Sequence, residues 1–228
     1  GLANRLSLPA ATKVCCNFPE TLEHLPKGKA VLTGCPIRQE LSQGKRAAAL
    51  TLTGFLPDKP VLMVMGGSLG AAAINQAVRE ALPDLLNHWQ VVHLCGKGKL
   101  DESLIHLKGY VQYEYIQREL PDLFALCDLV ISRAGANAIC ELLALRKPTL
   151  LIPLPAKASR GDQILNARSF ERQGFSMVLQ EADLNKESLL CSISHLSEYR
   201  NNYIKAMEKC PQTSAVDSIC SLIEETVS

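Results

Sequence analysis

Between residue 30 and about residue 178, short apolar, β-branched runs alternate with segments whose apolar residues recur at helical spacing. Runs without internal polar alternation are strands buried on both faces, which is the condition of a parallel sheet covered by helices on either side. The pattern predicts strands over 30–33, 61–65, 91–95, 110–113, 129–132, 149–153 and 176–179, all within one α/β layer structure. Most end in Gly, Pro or Ser, as strand-to-helix turns require. The clearest helix follows Gly70: Ile74, Ala77, Val78, Ala81, Leu82 and Leu85 share one face, with Asn75, Arg79 and Glu80 opposite. After Asp183 the strands stop and two or three helices are expected, the last from about Ser214 with Ala215, Val216, Ile219, Leu222 and Ile223 apolar.

Composition narrows the function classes. With 228 residues and 47% hydrophobic content the chain buries a substantial core. Lys and Arg (24) balance Asp and Glu (23), so the net charge of +1 provides no bulk attraction to nucleic acid, and no nucleic-acid partner is expected. Nine cysteines, an odd number with no C-x-x-C pair between Cys15 and Cys220, read as reduced thiols, mostly buried as small apolar residues. No apolar run reaches the roughly 18 residues of a membrane span and the first residues lack a signal-peptide layout, so a cytoplasmic location is expected. The chain begins at Gly1 and enters structured sequence at once, which reads as a fragment of something longer.

In open parallel sheets ligands bind outside the carboxyl ends of the strands, so four loops are candidates. Gly66-Gly67-Ser68-Leu69-Gly70 joins the run VLMVM to the best helix. Its glycines permit close backbone approach, and free N–H groups at the helix start suit a phosphate, with Ser68 adding a hydroxyl donor. The same residues spell G-x-S-x-G, the nucleophile elbow of α/β serine hydrolases, and a ligand-free tight turn is the plain alternative. No Gly-Lys-Ser/Thr follows, so this is not a Walker loop.

Ser132-Arg133-Ala134-Gly135-Ala136-Asn137 precedes a helix containing Glu141. If Asn137 caps that helix, Glu141 is one residue beyond the capping-box position, where its carboxylate can take two hydrogen bonds from vicinal hydroxyls such as those of a ribose; a solvated Glu is the plain alternative. The stretch from Pro153 to Gln163 is a polar loop in which Asp162 and Gln163 can grip sugar hydroxyls, or Ser159 and Asp162 can form a helix cap. After the run AVLT, Arg38 of Gly34-Cys35-Pro36-Ile37-Arg38 offers a planar fork for a diphosphate, or simple surface charge. Gly96-Lys97-Gly98 lacks the third glycine and the downstream acid of a dinucleotide fingerprint.

The histidines at 24, 88, 93, 106 and 195 have no metal-ligand spacing and there is no Asp-x-Asp pair, so neither metal nor cofactor is expected. A hydrolase would need Ser68, an acid and a His in that order. Asp162 and His195 satisfy the order, but LLCSISHLSEY reads as an amphipathic helix in which His195 is partly buried.

Taken together, GGSLGAAAINQAV, DLVISRAGANAICELLALRKPTLLIPLP and SRGDQILNA, in that order, resemble the carboxy-terminal half of the MurG family of glycosyltransferases, over essentially the whole chain. The family transfers N-acetylglucosamine from UDP to undecaprenyl-diphospho-muramoylpentapeptide, converting lipid I to lipid II in peptidoglycan synthesis. The resemblance implies the second of two Rossmann-like domains of a GT-B fold, inverting chemistry without a metal, and a position on the cytoplasmic face of the plasma membrane. It implies that Gly67 and Ser68 face diphosphate and sugar, Arg38 lies near the phosphates, and the Ile116 backbone meets uracil. Ala136, Asn137 and Ala138 would line the sugar and phosphate side, Glu141 would hold the ribose, and Asp162 and Gln163 the GlcNAc hydroxyls. Ala138 stands where the family often has Thr or Ser, and Asp162 where Gln or His is common. Residues 1–37 would be the end of an amino-terminal acceptor domain and linker, 38–209 the UDP-sugar domain, and 210–228 a helix that returns to the first domain. The general base, the lipid acceptor site and the membrane surface would belong to that first domain.

Overall fold

The structure, a computed structural model, describes residues 6–67, 71–157, 161–210 and 215–227. The chain divides into two compact units, Gly1–Ile37 with Lys209–Ser228, and Arg38–Glu208. In the first unit β1 (Val14–Cys16) and β2 (Ala30–Leu32) form a parallel pair, Val14 opposite Ala30 and Cys16 opposite Leu32. The second unit follows the order α1 (Arg46–Thr53), β3 (Val61–Met65), α2 (Ala72–His88), β4 (Gln90–Leu94), β5 (Tyr110–Tyr113), α3 (Leu120–Leu126), β6 (Leu129–Ser132), α4 (Ala136–Ala144), β7 (Thr149–Leu151), α5 (Asp162–Arg172), β8 (Ser176–Val178), α6 (Lys186–Glu198) and α7 (Arg200–Glu208). The helix α8 (Ala215–Val227) returns the chain to the first unit. No helix among the described residues is long and apolar enough to cross a membrane.

The six strands of the second unit are all parallel, in the order β5-β4-β3-β6-β7-β8. Apolar residues on both pleat faces give it two cores. Leu62, Val64, Val91, Leu129, Ile131 and Leu150 pack with Ile74, Val78, Leu82 and Leu85 of α2 and Leu189, Ile193 and Leu196 of α6. On the other face Val61, Met63, Val92 and Val130 pack with Ala49 of α1 and Leu120, Leu123 and Phe124 of α3. Consecutive strand residues thus enter opposite cores, which is why VLMVM carries no polar residue.

Three sequence expectations need correction. The run at 30–33 is a strand, but it pairs with residues 14–16 in the separate two-stranded sheet, because pairing depends on a partner that periodicity does not reveal. The strands expected over 91–95, 149–153 and 176–179 are Gln90–Leu94, Thr149–Leu151 and Ser176–Val178. Asn75 is not on an exposed face of α2 but buried, and Arg79 is half-buried, while Glu80 is exposed as expected.

Asn75 is buried because it is fully bonded. Its Nδ2 donates to the Cys95 carbonyl at 2.9 Å, and its Oδ1 lies 3.0 Å from His93 Nε2. Oδ1 can only accept, so the proton of His93 is on Nε2; its Nδ1, 2.9 Å from the Tyr110 hydroxyl, accepts from it. Burial, aided by the Arg79 charge, lowers the His93 pKa to about 3, so the ring is neutral at physiological pH. Arg79 donates to the Lys99 carbonyl, and Gln112 exchanges bonds with the backbone of Asp101, fixing the loop after β4. On the opposite face Gly44 lies so close to the first turn of α3 that a Cβ there would stand 1.9 Å from the Pro121 carbonyl oxygen.

Gly44→Ala must therefore displace backbone, and a loss of about 2 to 3 kcal/mol in chemical denaturation is expected, against near-neutrality for Gly54→Asn, whose position is left-handed but open. Between pH 6.5 and about 3 the unfolded chain protonates His93 while the folded chain does not, so stability falls as pH falls, by at most about 1.4 kcal/mol per pH unit. Denaturation midpoints at pH 7.5 and 5.0 should differ less in His93→Gln than in the unaltered protein; equal differences would show that His93 is not the titrating group.

Candidate functional site at the carboxyl rim of the sheet

Register gives the site its frame. Tyr113, Leu94, Met65, Ser132, Leu151 and Val178 are successive partners across the sheet, and each is the last residue of its strand. The loops therefore leave along one rim, about 4.8 Å apart from strand to strand. The chain runs outward from β3 to β4 and β5, then returns to place β6 on the other side of β3. At such a reversal, between the strands β3 and β6, open α/β sheets bind ligands.

Three helices that begin on this rim start without side-chain caps. The N-cap positions are Ala71 for α2, Gly135 for α4 and Gly161 for α5, and none makes a side-chain cap hydrogen bond. α1 and α3 also start without a side-chain cap bond, whereas α6, which begins beyond the edge strand β8, has a complete capping box between Asn185 and Ser188. The start of a helix carries N–H donors and a positive dipole end, which suit an anion.

Gly67, directly after β3, has φ +83, a conformation that favours glycine. Ser68 and the rest of that loop lie outside the described residues, as does Ser159 of the alternative cap. Asn137 is the second residue of α4, not its cap, and Glu141 is the sixth. The helix begins earlier than expected because Gly135 turns the chain from extended to helical directly after β6. Ala136 and Ala138 are half-buried and Asn137 is exposed in that first turn.

Arg38 and Glu141, 103 positions apart in sequence, meet: Arg38 Nε and Nη2 both lie 3.1 Å from Glu141 Oε1. The Arg38 side chain is 50% exposed and that of Glu141 15%, so the arginine forms the solvent side of the pair. Glu141 Oε2 is left available as an acceptor. Asp162 is the exposed first residue of α5, and Gln163 Oε1 accepts the Leu154 N–H at 3.1 Å. That bond fixes the Gln163 amide against the loop after β7 and keeps its Nε2 hydrogens for another partner. The Ile116 side chain packs on the core of α1 and α3, and its backbone makes no hydrogen bond among the described residues.

Two positioning residues escaped the sequence reading. Arg133, buried, donates through Nη1 to the Ile152 carbonyl at 3.0 Å and pairs through Nη2 with Glu181, tying the ends of β6 and β7 together. Asn166 Nδ2 donates to the Ala134 carbonyl at 3.0 Å, fastening α5 to the loop after β6. A polar side chain directly behind a buried strand was the available signal for Arg133; for Asn166 there was none.

The hydrolase alternative has no support. His195 is exposed, not partly buried, and stacks on Tyr199 with ring centroids 4.6 Å apart. Its neighbours Ser194 and Ser197 line, with Pro60 and Trp89, a cavity of about 680 Å³. Pro60 and Trp89 precede β3 and β4, so His195 is at the opposite rim from Gly67 and from the start of α5 with Asp162. Among the described residues no cluster of three or more His, Cys, Asp or Glu is arranged to hold a metal ion.

The Glycosyltransferase family 28 C-terminal domain matches residues 61–223. The chain is 60% identical over 99% of its length to the UDP-N-acetylglucosamine–N-acetylmuramyl-(pentapeptide) pyrophosphoryl-undecaprenol N-acetylglucosamine transferase of Lachnospira eligens, and 61% identical to the protein of the same name in Lachnoclostridium phytofermentans. It spans 64% and 63% of the length of these two relatives. Among solved structures it resembles Acinetobacter baumannii MurG (TM-score 0.71, 22% identity, 99% of this chain and 63% of that one) and the calicheamicin glycosyltransferase CalG4 (TM-score 0.65, 16% identity, 94% and 52%). These likenesses identify the fold as the carboxy-terminal half of a GT-B glycosyltransferase. With the domain match covering most of the sequence, the chain belongs to glycosyltransferase family 28.

Proposed function

We propose that this chain supplies the UDP-N-acetylglucosamine-binding half of an enzyme that transfers N-acetylglucosamine to undecaprenyl-diphospho-muramoylpentapeptide, the conversion of lipid I to lipid II. The observation that carries the reading is the Arg38–Glu141 pair on the rim where α2, α4 and α5 begin, each with an N-cap residue that makes no side-chain cap bond. A nucleotide sugar needs donors for a diphosphate and a carboxylate for vicinal hydroxyls within one site, and this arrangement supplies both.

In this reading the start of α2, with Gly67 and Ser68, and the side chain of Arg38 hold the diphosphate. The first turn of α4, Ala136, Asn137 and Ala138, lines the sugar and phosphate side. Glu141 takes the ribose hydroxyls, the free backbone of Ile116 pairs with the uracil edge, and Asp162 with the Gln163 amide holds the GlcNAc hydroxyls. As the acceptor hydroxyl attacks the anomeric carbon, negative charge grows on the departing UDP, and fixed N–H dipoles with the guanidinium stabilise it without a covalent intermediate. Inversion follows from the single displacement. The part of the relatives' length that this chain does not span would carry the general base, the lipid acceptor site and the attachment to the cytoplasmic face of the membrane. Residues 1–37 would be the end of that domain and the linker, 38–209 the donor domain, and 210–228 the helix that packs back upon the first domain.

Calorimetric titration of the folded chain with UDP-N-acetylglucosamine should give saturable binding, weakened at least about tenfold by Glu141→Ala, the loss of a charged hydrogen-bonding group. UDP-glucose should bind more weakly. Transfer to lipid I by this chain alone should be slow or absent. A folded chain that binds no donor would contradict the proposal.

A further inference from the structure

We infer that Asn75 and His93 are positioning residues for diphosphate recognition: the buried relay Tyr110–His93–Asn75–Cys95 sets the start of α2 against the sheet. This rests on the donor-site reading above. The apolar face of α2, Ile74, Ala77, Val78, Ala81, Leu82 and Leu85, holds the helix to the sheet but fixes its position along the axis poorly, since aliphatic contacts are non-directional. Asn75 supplies direction. It is the fourth residue of the helix, one turn from its first N–H groups, and both ends of its amide are tied to β4 and the residue that follows it: Nδ2 to the Cys95 carbonyl at 2.9 Å, and Oδ1 to His93 Nε2 at 3.0 Å.

His93 is itself held. The Tyr110 hydroxyl, from β5, donates to Nδ1 at 2.9 Å, and the two rings meet edge to face with centroids 6.1 Å apart. With Nδ1 accepting, the imidazole presents a donor to Asn75 in one orientation only. Every polar atom of the relay is buried, so a sliding or rotating helix would strand these groups without water. The helix start is therefore fixed to within hydrogen-bond tolerance at the rim where Gly67 leaves β3. The uracil and ribose contacts proposed for Ile116 and Glu141 come from other elements and do not depend on this relay.

The test separates the diphosphate from the nucleoside. Affinities for UDP and for uridine are measured by calorimetry on the unaltered chain and on Asn75→Ala, His93→Leu and His93→Gln, each at a temperature where circular dichroism shows it folded. Asn75→Ala and His93→Leu should lose about tenfold or more in UDP affinity, as for a displaced charge-assisted contact, with uridine affinity within about twofold. His93→Gln, whose amide can still donate to Asn75, should recover most of the loss. Equal losses for UDP and uridine, or an unchanged ratio, would overturn the positioning role while leaving the donor site intact. Failure of the unaltered chain to bind either ligand would overturn the donor-site reading and this inference with it.

Discussion

The structure depends on the parallel register that ends six strands in one row. Because Tyr113, Leu94, Met65, Ser132, Leu151 and Val178 are lateral partners, every following loop starts at the same height, and a shift of one strand would move its loop out of the site. A one-residue slip would also exchange the two cores, since Leu62 and Val64 face α2 while Val61 and Met63 face α1 and α3. Both faces are apolar, so it is the packing mismatch of that exchange that holds the site geometry. The interior thus specifies the rim before any rim residue contributes.

What the rim does with this precision is visible in its helix starts. Where α6 begins away from the site, Asn185 and Ser188 satisfy the backbone; where α2, α4 and α5 begin, the N-cap residues Ala71, Gly135 and Gly161 make no side-chain cap bond. The arrangement of the rim is secured by side chains acting from behind: Arg133 on Ile152 and Glu181, Asn166 on Ala134, and Asn75 on Cys95. Arg38 belongs to the rim in a different way. It covers one oxygen of Glu141 from the solvent side, so a ribose that engages both oxygens must displace it, which would free the guanidinium for the phosphates.

Much of this was legible because it is local. A strand buried on both faces announces itself in five consecutive apolar residues at 61–65, and a glycine with φ +83 sits where the motif put it. Arg38, Glu141, Asp162 and Gln163 were singled out as candidates from their loops, although the meeting of Arg38 with Glu141 across 103 positions was not foreseen. What failed depended on distant partners or on local rules set aside by the site. Asn75 looked exposed because its partners, His93 and Cys95, lie on another element; a polar residue counts as exposed until its bonds are known. Asn137 looked like a cap because Asn commonly is one, but here the helix starts at Ala136 and its N-cap, Gly135, has no side chain to bond. The strand at 30–32 was recognised, yet its sheet was decided by pairing with 14–16.

The central claim is that one rim of the sheet, at the reversal between β3 and β6, is a nucleotide-sugar site. Amide chemical shifts of the isotopically labelled chain during titration with UDP-N-acetylglucosamine test it most directly, since they report where the ligand binds. Perturbations concentrated at Gly67, Ile116, Ala136 to Glu141 and Gln163 are predicted. Perturbations concentrated instead at the opposite rim, around Pro60, Trp89 and Ser194, or none at saturating ligand, would contradict it.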